Sequence, residues 1–207
     1  MADKEVTIVG RTTSGEVIID ADREGPVVFL QEGGGLEGLT LQGGRGFDND
    51  GTRIGGGVLV GDGKVTLSNL VVQDNKSDLG AGLYLIGGGE LNNVLVEGNE
   101  AKSSGGGAVL VGGDFDLTDV HFIDNVADAG GAFGAADADI VWETGSMSGN
   151  EADVGTGLAL FDDCDIEAED IDVSDQTAYL QIEGENAEED LDGPDFHCTT
   201  RSGLKCD

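Results

Sequence analysis

A repeat of 25 residues constrains the fold of this chain more than any other feature of its sequence. Five consecutive segments begin with a glycine pair or a Gly-x-Gly, at Gly55, Gly80, Gly105, Gly130 and Gly155. The same segments end at an asparagine or an aspartate, namely Asn75, Asn99, Asn125, Asn150 and Asp175. A fixed period of about 20–50 residues is typical of architectures in which equivalent units stack on one another. We therefore expect a solenoid.

Apolar and polar residues alternate within each repeat, as they do in strands that bury one side. In the first repeat the residues predicted to face inward are Val65, Leu67, Leu70 and Val72. Their counterparts in the third and fourth repeats are Phe115, Leu117, Val120, Phe122, Ile140, Trp142 and Met147. Period-2 alternation predicts short strands, and the glycines permit sharp corners between them. The sequence thus predicts an all-β fold, a single-stranded right-handed parallel β-helix solenoid with about 25 residues per coil.

The residues that close the repeats are expected to stack at one corner of the coils. Side-chain amides in such a stack donate and accept hydrogen bonds along the solenoid axis and satisfy the turn backbone. Asparagine also tolerates the left-handed backbone conformation that a sharp corner requires. We interpret Asn75, Asn99, Asn125, Asn150 and Asp175 as a structural ladder.

The repeat also predicts how the chain is divided. Regular coils are expected over residues 55–179, within a parallel β-helix that spans residues 1–182. In its less regular early coils, alternating pairs predict the strands at Val6 and Ile8, Val17 and Ile19, and Val27 and Phe29, followed by Leu39 and Leu41. Residues 43–54 are predicted to protrude from a coil corner. Residues 183–207 lose the period and are interpreted as an acidic C-terminal cap that stops further stacking.

The charge of the chain excludes several kinds of partner. The 207 residues include 42 acidic and 10 basic side chains, a formal net charge of -32. We expect no binding to nucleic acid or to an anionic membrane surface, because both need a Lys/Arg-rich surface. No apolar run approaches the roughly 18 residues of a membrane helix, so membrane insertion is not expected either. Such acidity fits a salt-rich habitat, calcium binding or simple solubility.

The cysteines indicate in which cellular compartment the chain is expected. Cys198 and Cys206 are spaced to close a small loop near the C-terminus, and Cys164 is left over. A disulfide that cross-links the end of a chain is compatible with an exported protein. The first residues do not read as a signal peptide, so the chain is either cytosolic or a mature portion of an exported protein. The predicted disulfide favours export, with an extracellular or cell-surface location.

Short motifs in the repeats resemble a known group. The sequences GGAV at 106–109, GGAF at 130–133 and FIDN at 122–125 resemble the GGA-aliphatic and F-x-x-N repeats of polymorphic outer membrane proteins. More widely, residues 5–180 resemble right-handed parallel β-helix proteins of the pectin-lyase-like superfamily. The resemblance implies the fold, and it brings polysaccharide cleavage into consideration.

No catalytic residues are predicted. Gly63-Lys64 lacks the remainder of a phosphate-binding loop. Uronate lyases need a basic residue as proton acceptor, whereas basic residues here are sparse and the acidic surface would repel a polyuronate. A hydrolase needs two carboxylates at a set separation, but in so acidic a chain some pair meets this requirement by chance. Their presence is therefore uninformative. His121 is predicted to lie at an outward, exposed position.

The main candidate for a bound ion is calcium at Asp48 and Asp50, in the sequence FDNDGT, and residues 161–175 form a second oxygen-rich patch. No other cofactor is expected. Taken together, the sequence predicts a non-catalytic structural or adhesive β-helix module of a bacterial exported or cell-surface protein, binding protein, glycan or its own copies. The alternatives are a carbohydrate-active enzyme of the pectin-lyase-like group and a calcium-dependent assembly component.

Overall fold

The computed structural model describes residues 6–11, 15–161 and 164–174, and three later strands by their backbone. It is all-β, with no helix among these residues. The strands are β1 (Thr7–Val9), β2 (Ile18–Asp20), β3 (Val28–Leu30), β4 (Gly34–Glu37), β5 (Thr40–Gln42), β6 (Phe47–Asn49), β7 (Thr52–Ile54), β8 (Val58–Val60), β9 (Val65–Gln73), β10 (Lys76–Leu79), β11 (Leu83–Ile86), β12 (Gly89–Glu97), β13 (Glu100–Ser104), β14 (Ala108–Ile123), β15 (Phe133–Ser148), β16 (Leu158–Phe161), β17 (Asp165–Ala168), β18 (Ile171–Ser174), β19 (Leu180–Glu183), β20 (Glu188–Asp190) and β21 (His197–Thr199).

These strands stack in parallel into a β-solenoid of about seven coils, with equivalent strands about 25 residues apart. Face 1 is formed by β3, β8, β11, the starts of β14 and β15, β16 and β19. Face 2 is formed by β1, β4, the first halves of β9 and β12, the middles of β14 and β15, β17 and β20. Face 3 is formed by β2, β5, the remainder of β9, β12, β14 and β15, β18 and β21. The predicted parallel β-helix is confirmed.

The inward columns of the three faces form one apolar core. All eleven inward residues predicted from the regular repeats are buried, with exposed fractions of 2% or less. The largest of them meet in the middle coils, where the Trp142 ring lies 5.8 Å from both Phe122 and Phe133. The alternation of the sequence thus places the core directly, because each strand presents every second side chain to the same side.

The strand predicted from Val27 and Phe29 is present as β3, but the side chains that enter the core are those one residue further on. Val28 and Leu30 face inward and are 8% exposed, while Phe29 faces outward and is 49% exposed. Parallel pairing sets Val28 and Leu30 beside Val58 and Val60 of β8, and a shift of one residue moves every side chain to the other surface.

The other early pairs behave unequally. Strands β1, β2 and β5 form at the predicted pairs, which are buried to different extents. Val6 and Ile8 are 57% and 38% exposed. Among the described residues, only β4 pairs with β1. Val17 and Ile19 are partly buried against the core, and Leu39 and Leu41 are 4% and 0% exposed.

The insertion at residues 43–54 forms a β-hairpin. Strands β6 and β7 pair antiparallel, with Asn49 opposite Thr52. β7 then extends a short fourth sheet in which β10 and β13 lie in parallel. The hairpin residues at 47–52 are exposed, and the Phe47 ring stacks on Phe29 with their centroids 5.9 Å apart.

The parallel ladders continue past residue 182. β19, β20 and β21 pair with β16, β17 and β18 in the order of the earlier coils. The predicted boundary between residues 182 and 183 falls inside β19, and the greater part of the predicted cap lies outside the described residues.

Candidate functional site

Four asparagines form a buried ladder between face 3 and the fourth sheet. Asn75, Asn99, Asn125 and Asn150 are each 2% exposed or less. The amide nitrogen Nδ2 of Asn75 donates to Oδ1 of Asn99, Asn99 donates to Asn125, and Asn125 donates to Asn150, each over 3.0 Å. Oδ1 of Asn99, Asn125 and Asn150 each also accepts from the backbone N–H of the preceding ladder asparagine at 3.0 Å, and Oδ1 of Asn75 accepts from the Gly44 N–H at 2.8 Å. The structure thus joins four successive coils through side-chain amides. Asp175, predicted as the fifth member, lies outside the described residues.

A second bond ties each amide to the backbone of the preceding coil. Nδ2 of Asn99 donates to the carbonyl of Val72 at 2.9 Å, and Nδ2 of Asn125 donates to the carbonyl of Val96 at the same distance. Each interior amide therefore uses both of its N–H donors and two acceptor positions. Buried amides left without partners are costly, so this corner depends on an unbroken stack.

The left-handed residues of this corner are the neighbours of the ladder. Positive φ occurs at Asp74 (54°), Gly98 (61°), Asp124 (52°) and Gly149 (64°), one residue before each asparagine. The expectation that the ladder asparagines themselves take this conformation was wrong. Asparagine does take it at the opposite corner, between faces 2 and 3, where Asn69 and Asn93 have φ of 53° and 52°. There Nδ2 of Asn93 donates to Oδ1 of Asn69 on the surface, at 2.8 Å.

The outer surface of face 2 carries a column of mostly polar side chains and two hollows. One outward column runs through Thr7, Gly35, Thr66, Glu90, Asp116, Val141 and Glu167 in register. A hollow of about 250 Å³ opens where Gly35 interrupts this column. Its lining residues are Thr7, Gly34, Gly35, Leu36, Glu37, Lys64, Thr66 and Ser68. Along the same face, a smaller hollow of about 50 Å³ is bounded by Lys64, Thr66, Gly89 and three carboxylates.

An Asp–His–Ser group lies on face 3. His121 Nδ1 is 2.8 Å from the hydroxyl of Ser146, and His121 Nε2 is 3.0 Å from Oδ1 of Asp119. Register alone explains this contact, because His121 pairs directly with Ser146 on the next strand. A serine nucleophile also needs donors for the developing oxyanion. β15 is flanked here by β14 and β18, whose ladders use the backbone N–H groups around Ser146.

The same face carries a glutamine ladder in the early coils. Nε2 of Gln73 donates to Oε1 of Gln42 at 3.0 Å, and Nε2 of Gln42 donates to Oδ2 of Asp20 at 2.9 Å. The Gln42 amide, followed by the Asp22 N–H, holds the pKa of the Asp20 carboxyl below its usual value. This ladder is part-buried between Gln73 and Gln42 and exposed at Asp20, so it orders the surface more than it stabilises the core.

The predicted calcium ligands lie in the turn of the β6–β7 hairpin. Oδ1 of Asp48 accepts from the backbone N–H of Gly51 at 2.9 Å, and Asp50 has a positive φ of 51°. These contacts close the turn. No group of three or more His, Cys, Asp or Glu side chains arranged to hold a metal ion occurs among the described residues. Calcium at Asp48 and Asp50 stays a prediction.

The cysteines are only partly described. Cys164 is buried and unpaired, it donates to the carbonyl of Phe161, and burial raises the pKa of its thiol. The predicted disulfide between Cys198 and Cys206 lies outside the residues whose side chains are described. In the part of the chain that is described, no helix is long and apolar enough to cross a membrane.

The chain was compared with known proteins at three levels. No protein-family model, curated protein or solved structure gave a significant match. The solenoid fold therefore stands on the chain's own register and burial.

Two features escaped sequence reasoning. The hollow at Gly35 depends on which residue of each strand faces outward in the irregular first coils, and the repeat does not fix that register. The contact between His121 and Ser146 was detectable, because both residues occupy the same position of the 25-residue repeat and stacked repeats place such residues side by side.

Proposed function

We propose that this chain is a rigid, non-catalytic β-helix module that serves a structural or adhesive role in a bacterial exported or cell-surface protein. The observation that carries the proposal is the flat shape of the outer surface. Its strands are joined by tight corners, and the hairpin of residues 47–54 is the main projection from the described coils. Flat, repeated faces suit extended recognition, whereas enzymes usually enclose substrate in a concave site.

The hydrogen bonds of the interior support a structural role. The four-asparagine ladder and the parallel backbone ladders cross-link successive coils over most of the described length. Separating two coils would break many of these bonds together. A module of this kind holds its outward side chains at fixed spacings, about 4.8 Å per coil.

The chemistry of the surface supports binding without turnover. Asp119, His121 and Ser146 have the hydrogen-bond order of a hydrolase, and this favours an enzyme as the second candidate function. The flanking ladders leave no evident oxyanion donors, however, and removal of one such donor typically costs about 100- to 1,000-fold in rate. The resemblance to pectin-lyase-like proteins would place the enzyme among polysaccharide lyases or hydrolases. The high negative charge opposes polyuronate substrates in particular.

The partners proposed are proteins or glycans at the cell surface, with self-association as a further mode, in an extracellular setting. The test is adhesion and turnover measured on the same protein. Beads coated with the full chain are placed on surfaces that carry immobilised glycans, extracellular proteins or the chain itself. Retention under flow on at least one surface, with no products released from soluble polysaccharides in calcium or in EDTA, is the expected result. Product release, or no retention on any surface, would overturn the proposal.

A further inference from the structure

We propose that the hollow at Gly35 on face 2 binds one sugar ring of a neutral, linear glycan. This inference rests on the adhesive function proposed above and names the class of ligand. Its volume of about 250 Å³ lies just below the range of about 300–1,000 Å³ that is typical of sites for drug-sized ligands. A single ring is therefore the fitting occupant.

A glycine interrupts the outward column at the floor of the hollow. Gly35 lies between Thr7 and Thr66 in register, and both threonines project outward. Gly35 is buried, and a Cβ added to it would lie 2.9 Å from the Thr7 hydroxyl and 3.1 Å from Thr7 Cγ2. Gly35 has no positive φ, so its backbone does not require glycine. The missing side chain therefore lets Thr7 lie over Gly35 and form one wall of the hollow.

The walls present hydroxyls and charges of both signs. The hydroxyls of Thr7, Thr66 and Ser68 line the hollow, together with Lys64 and Glu37. Hydroxyls both donate and accept, ammonium groups donate, and carboxylates accept. A sugar ring bears several adjacent hydroxyls that can use all three kinds of partner. Lys64 Nζ is 3.7 Å from Asp114, beyond hydrogen-bond distance, and both side chains are 72% exposed. The ammonium is therefore available to a ligand.

The surrounding charge selects against acidic sugars. Glu37 borders the hollow, and Glu90, Asp114 and Asp116 border the smaller hollow beyond Lys64. One ammonium faces four carboxylates across the two hollows. A uronate or sulfated sugar would meet net repulsion, while a neutral sugar can donate its hydroxyls to the carboxylates in charge-assisted hydrogen bonds.

The two hollows follow the solenoid axis. Lys64 and Thr66 border both of them. Gly34 in β4 and Gly89 in β12 pair with Val65 from opposite sides, so the hollows are separated by two strand spacings, about 9.6 Å. A linear chain lying along the axis would place one ring in the larger hollow and continue over the smaller one.

Gly35→Thr is the variant that tests the site. It continues the threonine column and suits a strand. Its Cβ would lie 2.9–3.4 Å from the exposed Thr7 side chain, so we expect it to fold with Thr7 displaced into the hollow, which both changes fill. Val141→Thr is the matched control, since it introduces the same residue in the same outward column away from the hollow. Circular dichroism and thermal melting establish that both variants are folded.

The ¹⁵N-labelled full chain is titrated with the neutral oligosaccharides cellopentaose, xylopentaose and mannopentaose, and with oligogalacturonate as the acidic probe. The inference predicts amide shifts centred on residues 34–37 and 64–68 with at least one neutral probe. It predicts that Gly35→Thr weakens this binding by about tenfold or more, that Val141→Thr leaves it unchanged, and that oligogalacturonate binds more weakly.

Three results would overturn the inference. These are shifts that centre elsewhere, equal binding by Gly35→Thr, and no binding of any neutral probe while the bead assay still shows adhesion. In each of these cases the proposed adhesive function survives. Loss of adhesion in the bead assay itself refutes the broader proposal, so the two failures are distinguishable.

Discussion

At the scale of single residues, the corners of the coils are held by amides and by left-handed backbone, and the two tasks fall on adjacent positions. An interior ladder residue such as Asn125 accepts two hydrogen bonds from Asn99 and donates one to Asn150 and one to Val96. The residue before it, Asp124, makes the turn with a φ of 52°. This division explains why asparagine recurs at one position while aspartate and glycine alternate at the other.

Asn125→Ala removes these four hydrogen bonds at a site that is 0% exposed. We expect the free energy of unfolding to fall by about 3 kcal/mol or more, because each unsatisfied buried group costs about 1–3 kcal/mol. Urea denaturation measures the loss. Asn92→Ala, at an exposed outward position, is the control and should change stability by no more than about 0.5 kcal/mol. Equal stability of the two variants would refute the ladder.

Asp124 tests the turn itself. Gly98 and Gly149 occupy the same position in neighbouring coils, so Asp124→Gly should change stability by no more than about 0.5 kcal/mol. Asp124→Val should cost about 1–2 kcal/mol, because residues with a Cβ are disfavoured in the left-handed region. Thermal melting of the pair provides the comparison. Equal melting temperatures of the valine and glycine variants would contradict a left-handed conformation at Asp124.

At the scale of elements, each strand takes its orientation from the coil it stacks on. The regular repeats could be interpreted from sequence because alternation, glycine corners and asparagine recur together in consecutive copies. The first coils could not, because Val27, Val28, Phe29 and Leu30 are all apolar. Such a run shows no alternation, and only pairing with β8 decides which side chains face inward.

Phenylalanines on opposite sides of face 1 give a matched comparison. Phe133 is 0% exposed and packs on Phe122 at 5.3 Å, whereas Phe29 is 49% exposed. Phe133→Ala should lower the free energy of unfolding by about 3–5 kcal/mol. Phe29→Ala should cost only about 1 kcal/mol, because it loses part of one ring contact. Trp142, the single tryptophan, reports unfolding by fluorescence. A larger loss for Phe29→Ala would contradict the outward orientation of Phe29.

At the scale of the whole molecule, charge and rigidity together limit what the chain can bind. A formal charge of -32 on a narrow solenoid produces strong self-repulsion. The fold and the ladder could be predicted from the repeat, since both depend on recurring positions. The hollow could not, because it depends on one glycine in an irregular coil and on side chains brought together by register.

The same charge predicts a dependence of stability on salt. Raising sodium chloride from about 0.01 M to about 1 M shortens the Debye length from about 30 Å to about 3 Å. The melting temperature should rise over this range, because repulsion between carboxylates is screened. Calcium and magnesium at matched ionic strength should raise it equally if screening alone acts. A larger rise with calcium that Asp48→Asn abolishes would instead support the calcium site.

Binding without turnover is the central claim for function, and one measurement addresses both parts. Saturation-transfer NMR on a mixture of the chain with a neutral pentasaccharide detects contact, and the same sample, followed overnight, detects cleavage. We expect saturation transfer to an intact pentasaccharide, with no new anomeric signals. Transfer accompanied by new reducing-end or unsaturated-sugar signals would contradict it and establish an enzyme.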